Sequence, residues 1–318
     1  MRAVVVGGGS WGSVFSTLLM ARGHDVVLAC RDPSQARAIA ETGHNTRYLR
    51  EVDLSGVSAT TIDRAPVAEA ELVAVAVPSR TFAEVVASIP GRAPILVLTK
   101  GLDPASGRRL SELVTDRPVA VLSGPNHAEE IAQGLPAAAV IASADGELAG
   151  RLQSALISPV FRVYVNDDVI GVELCAAAKN VIALAAGGVD GLRLGDNAKA
   201  GLLSRGLREM ARVGEACGAR PDTFSGLAGM GDLIVTCWSR HSRNRRAGEL
   251  LARGFTPEAA AREIGMVVEG ITAAPVLGDL ARSVGVEMPI VDAVGAVLRG
   301  TAPLSLVSIL MERQPTTE

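Results

Sequence analysis

Aromatic residues are scarce in this chain. Phenylalanine, tyrosine and tryptophan together account for 3% of its 318 residues, whereas 48% of the residues are hydrophobic. The core must therefore consist mostly of alanine, valine, leucine and isoleucine. The length suffices for two domains of ordinary size.

An excess of basic charge is also missing. The formal net charge is -3 and the isoelectric point is about 5.9, which argues against a nucleic-acid-binding protein, because such proteins usually carry a basic stripe. The cysteines are widely spaced and form no C-x-x-C pair, so we expect reduced thiols in a cytoplasmic protein and no metal site. These cysteines are Cys30, Cys175, Cys217 and Cys237.

Long hydrophobic runs are absent as well. No uninterrupted apolar run approaches the roughly 18–20 residues that a membrane helix needs. The chain starts with Met1 and Arg2, a short apolar run and then glycines, whereas a signal peptide would need a longer apolar core. The sequence predicts neither an integral membrane segment nor a signal peptide.

Lysine is rare and therefore informative. The chain has 31 lysine and arginine residues in total, and only Lys100, Lys179 and Lys199 are lysines. Surface positive charge is thus carried by arginine almost throughout, and each lysine becomes a candidate for a specific role.

The first half of the chain alternates short apolar runs with amphipathic segments, such as the predicted helix 11–22. Most of the runs are continuous rather than alternating, as expected for parallel strands covered on both faces. This pattern predicts a Rossmann-like, doubly wound, mostly parallel α/β sheet. The predicted strands are 3–6, 26–30, 72–77, 95–99, 119–122 and 137–142.

After about residue 168 the strand signal fades, and the pattern predicts an all-helical domain. We therefore expect a dinucleotide-binding domain at residues 1–167 and a helical substrate-binding domain at 168–318. Thr256 and Pro257 are typical of a helix start, and the tail from Gln314 is expected to fray. The predicted helices are 169–187, 198–217, 243–253, 257–264, 271–283 and 289–299.

The segment VVVGGGSWGS contains the pattern G-x-G-x-x-G at Gly7, Gly9 and Gly12. Alone the pattern is weak, but here a strand precedes it and a helix and a second strand follow. The first glycine permits a tight turn, the second lets the backbone approach a pyrophosphate, and the third lets the helix pack closely. N–H groups at the helix start would then meet the phosphates. The alternative is a glycine-rich turn without a ligand.

The residue after the second predicted strand bears on the choice of cofactor. An acidic residue there favours NAD, whereas this chain has Arg31, whose guanidinium suits a ribose 2′-phosphate. We therefore expect NADP, with NAD as a further cofactor. The alternative is that Arg31 is merely exposed and that Asp32 binds the ribose.

Lys179 and Asp232 are predicted to be buried. The helix around Lys179 is apolar nearly all round, so its lysine either reaches the surface, pairs with a charge or lines a cavity. Asp232 stands in GLAGMGDLIVTC, where a buried carboxylate needs a cation, and Lys179 is a candidate. The alternative for Asp232 is capping of the next segment.

Two further segments suggest ligand contacts. Lys100 ends the strand ILVLTK, and Asn126 follows another strand in SGPNHAEEI, at the carboxyl edge where open α/β sheets bind ligands. A solvent-exposed loop is the alternative for Lys100. The segment SRNRR opens a helix with arginines that oppose the helix dipole unless an anion binds there. A solvated basic face is the alternative, above all for Arg245 and Arg246.

These segments together resemble a known family. The chain contains, in this order, GGGSWG, TKGL, SGPNHAEE, AAAKNVIALAAG, GDNAKAGLLSRGL, GLAGMGDLIVTC, SRNRR and VVEG. Over nearly the whole chain they resemble the NAD(P)-dependent glycerol-3-phosphate dehydrogenases of the bacterial type. The resemblance implies reversible reduction of dihydroxyacetone phosphate to sn-glycerol 3-phosphate, which would supply phospholipid synthesis. It also implies a cytoplasmic enzyme with a phosphorylated small-molecule substrate, and a homodimer is the candidate assembly.

The resemblance also implies roles for individual residues. Lys179 would be the proton-transfer lysine. The implied substrate-binding residues are Lys100, Gly124, Asn126, Asp232, Ser242, Arg243 and Asn244. With the loop residues Gly7, Gly9 and Gly12, the implied cofactor-binding residues are Ser10, Trp11, Arg31, Lys100, Ala128, Arg243, Val267 and Glu269.

Two positions depart from the family pattern. His127 stands where an aromatic residue, often phenylalanine, is usual, and the run LAC before Arg31 lacks a common aromatic residue. Two alternative functions remain at this stage. One is a 3-hydroxyacid or phosphogluconate dehydrogenase, which also joins a Rossmann domain to helices, and the other is a non-catalytic NADP sensor.

Overall fold

The computed structural model describes residues 1–304. The chain divides into two compact units, of which the first is Met1–Glu173 and the second begins at Leu174. The division falls near the beginning of the helix Val169–Gly191, whereas the predicted domain limit lies just before that helix.

An eight-stranded sheet forms the centre of the first unit. Its strands are β1 (Arg2–Val6), β2 (Asp25–Cys30), β3 (Ser58–Thr61), β4 (Leu72–Val75), β5 (Ile95–Val97), β6 (Val119–Ser123), β7 (Ala137–Ala142) and β8 (Phe161–Asn166). The strand order is β3-β2-β1-β4-β5-β6-β7-β8. Neighbouring strands are parallel except β6 and β7, which are antiparallel. The predicted mostly parallel sheet is confirmed.

Helices follow most of these strands. They are α1 (Ser10–Ala21), α2 (Pro33–Thr42), α3 (Ser79–Ser88), α4 (Ala128–Ile131) and α5 (Gly146–Leu156). The core between helices and sheet is aliphatic, as the composition predicts, and only a few phenylalanines contribute to it. Phe15, Phe82 and Phe161 are completely buried in this unit.

The predicted strands miss two members of the sheet, β3 and β8. Both lie at the edges of the sheet, where one neighbour is missing and side chains are partly exposed. Neither strand therefore has the continuous apolar run that identifies a strand covered on both faces. The predicted strands 72–77 and 95–99 also extend two residues beyond the observed ends at Val75 and Val97.

The second unit contains helices and no strand among its residues up to 304. After α6 (Val169–Gly191) the helices are α7 (Gly195–Ala216), α8 (Pro221–Ser225), α9 (Asp232–Trp238), α10 (Arg243–Ala252), α11 (Pro257–Ile264), α12 (Glu269–Ser283) and α13 (Pro289–Leu298). The all-helical prediction is confirmed for this part. The short helices α8 and α9, which a π-helical turn at Leu227–Gly231 separates, were not predicted. The expected fraying from Gln314 lies outside the described residues.

Helix α6 is long and apolar enough to cross a membrane by length and composition alone, with a mean hydropathy of 1.7 over its most apolar 18 residues. Of that stretch, 83% is buried inside the protein. Glu173 and Lys179 interrupt the helix, so it contains no uninterrupted apolar run of membrane-spanning length. Its burial accounts for its composition, because a helix that is apolar all round has to be covered.

Candidate active site

The glycine loop joins β1 to α1 in the geometry that its spacing predicts. Gly7 has φ +121°, and a Cβ there would lie 2.5 Å from the carbonyl oxygen of Ala76. A Cβ on Gly12 would overlap the carbonyl oxygen of Gly7. At Gly9, by contrast, a Cβ would have no protein atom within 4 Å. The loop thus requires glycine for the turn and for helix packing, and it is open at Gly9, where the backbone would approach a pyrophosphate.

Trp11 lies in the first turn of α1, directly after Ser10. Its ring packs on Phe15, with 5.8 Å between the centroids. Its indole Nε1 is buried and has no hydrogen-bond partner within residues 1–304. A buried indole N–H usually has an acceptor, so this donor fits a bound ligand beside the loop.

Arg31 is the first residue after β2, and its side chain is exposed. The neighbouring Asp32 is the N-cap residue of α2. Its carboxylate accepts hydrogen bonds from the Ser34 backbone N–H at 2.9 Å and from the Ser34 hydroxyl at 2.7 Å. These hydrogen bonds lower the pKa of Asp32. The helix cap thus occupies Oδ1 of Asp32, whereas the side chain of Arg31 is exposed.

Lys100, Gly124 and Asn126 come together beyond the carboxyl ends of β5 and β6. Lys100 Nζ donates to the Gly124 carbonyl oxygen at 3.0 Å and to Asn126 Oδ1 at 2.8 Å. The alternative of a solvent-exposed loop lysine is therefore wrong. Asn126 Nδ2 is buried and has no hydrogen-bond partner in the described part of the chain. Ala128 begins α4, and His127 is its N-cap residue without a side-chain cap hydrogen bond.

Lys179 and Asp232 form a buried ion pair within the second unit. Lys179 Nζ lies 2.6 Å from Asp232 Oδ1, and the two side chains are 5% and 2% exposed. The predicted pairing is thus observed, and the capping alternative for Asp232 is wrong, because Gly231 is the N-cap residue of α9 and no side chain caps that helix.

Thr236 completes this group. Its hydroxyl accepts a hydrogen bond from Lys179 Nζ at 2.9 Å and donates to the Asp232 carbonyl oxygen at 2.6 Å. Sequence reasoning missed Thr236. The available signal was its spacing, because residues four apart share one face of a helix.

The start of α10 brings together Ser242, Arg243 and Asn244. Ser242 caps the helix, since its hydroxyl accepts from the Arg245 N–H at 3.2 Å. The exposed Arg243 donates to the carbonyl oxygen of Val267 at 3.0 Å. The helix start, with its cap and guanidinium, is suited to an anion.

Asn244 connects this helix start to two other helices. Its Nδ2 donates to Asn180 Oδ1 at 2.9 Å, and its Oδ1 accepts from the Gly270 N–H at 2.9 Å. Asn180 follows Lys179 on α6, and Gly270 follows Glu269 on α12. Asn244 therefore connects the residues that follow Lys179 and Glu269 in sequence. Sequence reasoning had not identified Asn180 as part of this group.

Arg245 does not lie on the solvated basic face that was the alternative for it. Instead of lying on a solvated face, it forms ion pairs with Asp190 at 2.7 Å and Glu249 at 2.6 Å, and its side chain is 15% exposed. Lys199 Nζ also lies 2.7 Å from Asp190. Arg246 is exposed, as that alternative expects. Arg245 and Lys199 thus stabilise the unit through a shared carboxylate.

Comparison with known proteins identifies the family. Profiles of the N-terminal and C-terminal parts of NAD-dependent glycerol-3-phosphate dehydrogenase match residues 2–149 and 168–308. The glycerol-3-phosphate dehydrogenase [NAD(P)+] of Moorella thermoacetica is 46% identical over 99% of this chain and 96% of its own length. The enzyme of that name from Thermus thermophilus is 46% identical over 100% of both chains.

Solved structures agree with these relatives. The crystal structure of glycerol-3-phosphate dehydrogenase from Coxiella burnetii superposes with a TM-score of 0.94 at 37% identity, covering 98% of this chain and 99% of that one. A ketopantoate reductase from Ralstonia eutropha, at 18% identity and a TM-score of 0.64, shares the fold alone. With both profiles and the full-length relatives in agreement, this chain belongs to the NAD-dependent glycerol-3-phosphate dehydrogenase family.

Proposed function

We propose that this chain catalyses the reversible reduction of dihydroxyacetone phosphate to sn-glycerol 3-phosphate, with NADPH and also NADH as reductant. The observation that carries the proposal is the buried group of Lys179, Asp232 and Thr236. Residues 1–167 would bind the dinucleotide, and residues 168–318 would bind the substrate. When bound, the nicotinamide supplies the hydride that reduces the ketone carbon.

Lys179 provides the proton. Negative charge develops on the carbonyl oxygen during reduction, and an ammonium beside that oxygen stabilises the charge and donates a proton to it. Asp232, 2.6 Å away, favours the charged form of Lys179, and Thr236 fixes the position of Nζ from a second side. In the reverse direction the neutral amine of Lys179 accepts the proton of the alcohol.

Arg243 anchors the phosphate group of the substrate. It stands at the start of the ten-residue helix α10, where backbone N–H groups and a guanidinium both favour an anion. Since the phosphate is remote from the reacting carbon, its binding orients the ketone. Asn244 holds the helix start in place, and Ser242 contributes its cap.

Lys100 and Asn126 contribute polar groups at the carboxyl edge of the sheet. The ammonium of Lys100 is held by Asn126 Oδ1 and the Gly124 carbonyl, and Asn126 Nδ2 supplies a buried donor. Both suit the oxygen atoms of the substrate. The proposed cofactor contacts are those of Gly7, Gly9, Ser10, Trp11, Gly12, Arg31, Lys100, Ala128, Arg243, Val267 and Glu269.

The deciding experiment measures the turnover of a panel of substrates, with the oxidation of NADPH monitored by its absorbance. We expect preferential turnover of dihydroxyacetone phosphate over 2-keto acids, whose carboxylate is beside the reacting carbon, and over 3-keto acids, whose carboxylate is one carbon further away. Preferential turnover of the acids would favour the hydroxyacid dehydrogenase alternative. Binding of NADPH without turnover of any ketone phosphate would favour the sensor.

We further propose a cytoplasmic enzyme that supplies glycerol phosphate to phospholipid synthesis and assembles as a homodimer. Depletion of the protein in cells should lower the glycerol phosphate pool and slow the labelling of phospholipids. Light scattering of the purified protein at several concentrations measures its mass. A monomeric mass throughout would contradict the homodimer without affecting the proposed reaction.

A further inference from the structure

Two side-chain amides converge on a single carbonyl group of the glycine loop. Gln35 Nε2 lies 2.5 Å and Asn45 Nδ2 lies 3.0 Å from the carbonyl oxygen of Gly8. The two amides also bond to each other, since Gln35 Nε2 donates to Asn45 Oδ1 at 3.1 Å. Asn45 is completely buried. The Gly8 carbonyl is thus held by two donors that neither the glycine pattern nor the family resemblance includes.

Asn45 ties this carbonyl to the surrounding backbone. Its Nδ2 donates to the Ser13 hydroxyl of α1 at 2.8 Å, and its Oδ1 accepts from the Tyr48 N–H at 3.2 Å. The position of the amide is therefore determined by contacts on both of its ends. Gln35, in the first turn of α2, approaches from a separate element.

The space beside Gly8 admits no side chain. A Cβ on Gly8 would lie 2.6 Å from Cys30 Sγ and 3.1 Å from Gln35 Nε2. No larger residue fits there without displacing the end of β2 or the amide of Gln35. This explains why the loop has a glycine at a variable position of its pattern.

The orientation of the Gly8 carbonyl determines the orientation of the next N–H group. In a planar trans peptide the carbonyl of one residue and the N–H of the following residue point in opposite directions. The described residues contain no cis peptide bond. Holding the Gly8 oxygen toward Gln35 and Asn45 therefore turns the Gly9 N–H away from them. Gly9 is the loop residue whose Cβ position is open to 4 Å.

We propose that Gln35 and Asn45 are positioning residues that preorganise the Gly9 N–H for the pyrophosphate of the dinucleotide. The proposal rests on the cofactor binding stated above. A loop that is held in its binding conformation before the ligand arrives loses less conformational entropy on binding. Gln35 and Asn45 together form a clamp on the Gly8 carbonyl. Since NADH and NADPH share the pyrophosphate, the binding of both should depend equally on this clamp, whereas only the binding of NADPH should depend on Arg31.

The test measures dinucleotide binding by isothermal titration calorimetry, without turnover. Gln35→Met keeps the length of the side chain and removes its donor. Loss of one neutral hydrogen bond should raise the Kd for NADPH and for NADH about 5-fold each. Asn45→Asp places a carboxylate against the Gly8 oxygen, and it should raise both Kd values more than about 10-fold. The Kd for 2′-AMP, which lacks a pyrophosphate, should not change.

A matched control is available in the same unit. Gln153 Nε2 donates to the Val163 carbonyl oxygen at 2.9 Å, so Gln153→Met removes a comparable bond far from the loop in sequence. Gln153→Met should leave all Kd values unchanged. In the absence of ligand, the Tm of Gln153→Met and the Tm of Gln35→Met should fall by similar small amounts.

Several results would overturn the proposal. They are unchanged Kd values for Gln35→Met, a rise confined to NADPH, an equal loss of 2′-AMP binding, or the same loss in Gln153→Met. Failure of Asn45→Asp to fold leaves the decision to Gln35→Met. If the wild-type protein binds neither dinucleotide, the proposed function itself fails, whereas tight wild-type binding with unaffected variants removes only the clamp.

Discussion

Replacing Lys179 by methionine should separate its chemical role from its structural one. Methionine is similar in length but uncharged, so Lys179→Met leaves the Asp232 carboxylate, whose side chain is 2% exposed, without the lysine cation. Removing one partner of a buried ion pair costs about 3–5 kcal/mol. For a unit of this size that corresponds to a decrease in Tm on the order of 10 °C. Turnover should fall about 10²–10⁴-fold, the usual contribution of a positioned acid–base group.

The double variant Lys179→Met/Asp232→Asn distinguishes the two effects. It removes both charges and leaves an amide that can donate to the Thr236 hydroxyl oxygen, which lies 3.2 Å from Asp232 Oδ1, so most of the lost stability should return. Turnover should stay as low as in Lys179→Met, because the proton donor is still absent. Circular dichroism during thermal unfolding measures the stability, and the initial rate of NADPH oxidation at saturating dihydroxyacetone phosphate measures the turnover.

Either half of this reasoning can fail separately. If Lys179→Met retains more than about a tenth of the wild-type turnover, Lys179 is not the proton donor. If the double variant is as unstable as Lys179→Met, the charge of Asp232 without the Lys179 cation is not the cause of the destabilisation. Since a buried carboxylate that has lost the Lys179 cation is more easily protonated, the instability of Lys179→Met should also decrease as the pH falls toward the unfolded-state pKa of Asp232.

Three further variants test the remaining roles. Arg31→Ala should raise the KM for NADPH by about one to two decades and leave the KM for NADH nearly unchanged, because a charge-assisted contact to the 2′-phosphate is lost; equal changes in steady-state kinetics with both cofactors would contradict this. Arg243→Ala should chiefly raise the KM for dihydroxyacetone phosphate and use unphosphorylated dihydroxyacetone about as poorly as the wild type; equal damage to both substrates would show that Arg243 is not the phosphate anchor. Burial raises the pKa of Glu209, which accepts the N–H of Ile290, to about 7. A raised carboxyl pKa contributes stability below the unfolded-state value of 4.5 that is lost as the pH rises to about 7. In Glu209→Gln, the free energy of unfolding measured in urea should not show this loss with rising pH, which is worth at most about 3 kcal/mol in the wild type. Parallel curves of unfolding free energy against pH for variant and wild type would refute this.

The reliability of the sequence predictions followed the burial of each element. Central strands such as β1 and β4 are covered on both faces, so their continuous apolar runs identify them. The edge strands β3 and β8 are partly exposed and carry no such run. Helix α9 is short and follows a glycine-rich turn, and its signal is too weak to recognise without the contacts of Asp232 and Thr236.

The site could be predicted where a buried charge demands a partner. A lysine on the apolar helix around Lys179 had to reach the surface, line a cavity or pair with a charge, and Asp232 was a plausible partner because its own neighbours are apolar. Arg245 shows the limit of this reasoning. Nothing in its immediate neighbourhood distinguishes an arginine that faces solvent from one that pairs with Asp190, which lies 55 residues away in the chain.

The sequence by itself determined the glycine loop, the change from an α/β half to a helical half, and the set of candidate side chains. These features follow from the spacing of glycines, apolar residues and charges over short stretches, and short-range geometry acts on such spacing directly. Only the tertiary structure decided which side chains meet. Gln35 and Asn45 reach Gly8 from 27 and 37 residues away, and Lys179 reaches Asp232 from 53. Contacts of this kind depend on how strands and helices pack, because packing alone brings residues so distant in the chain to within hydrogen-bond distance.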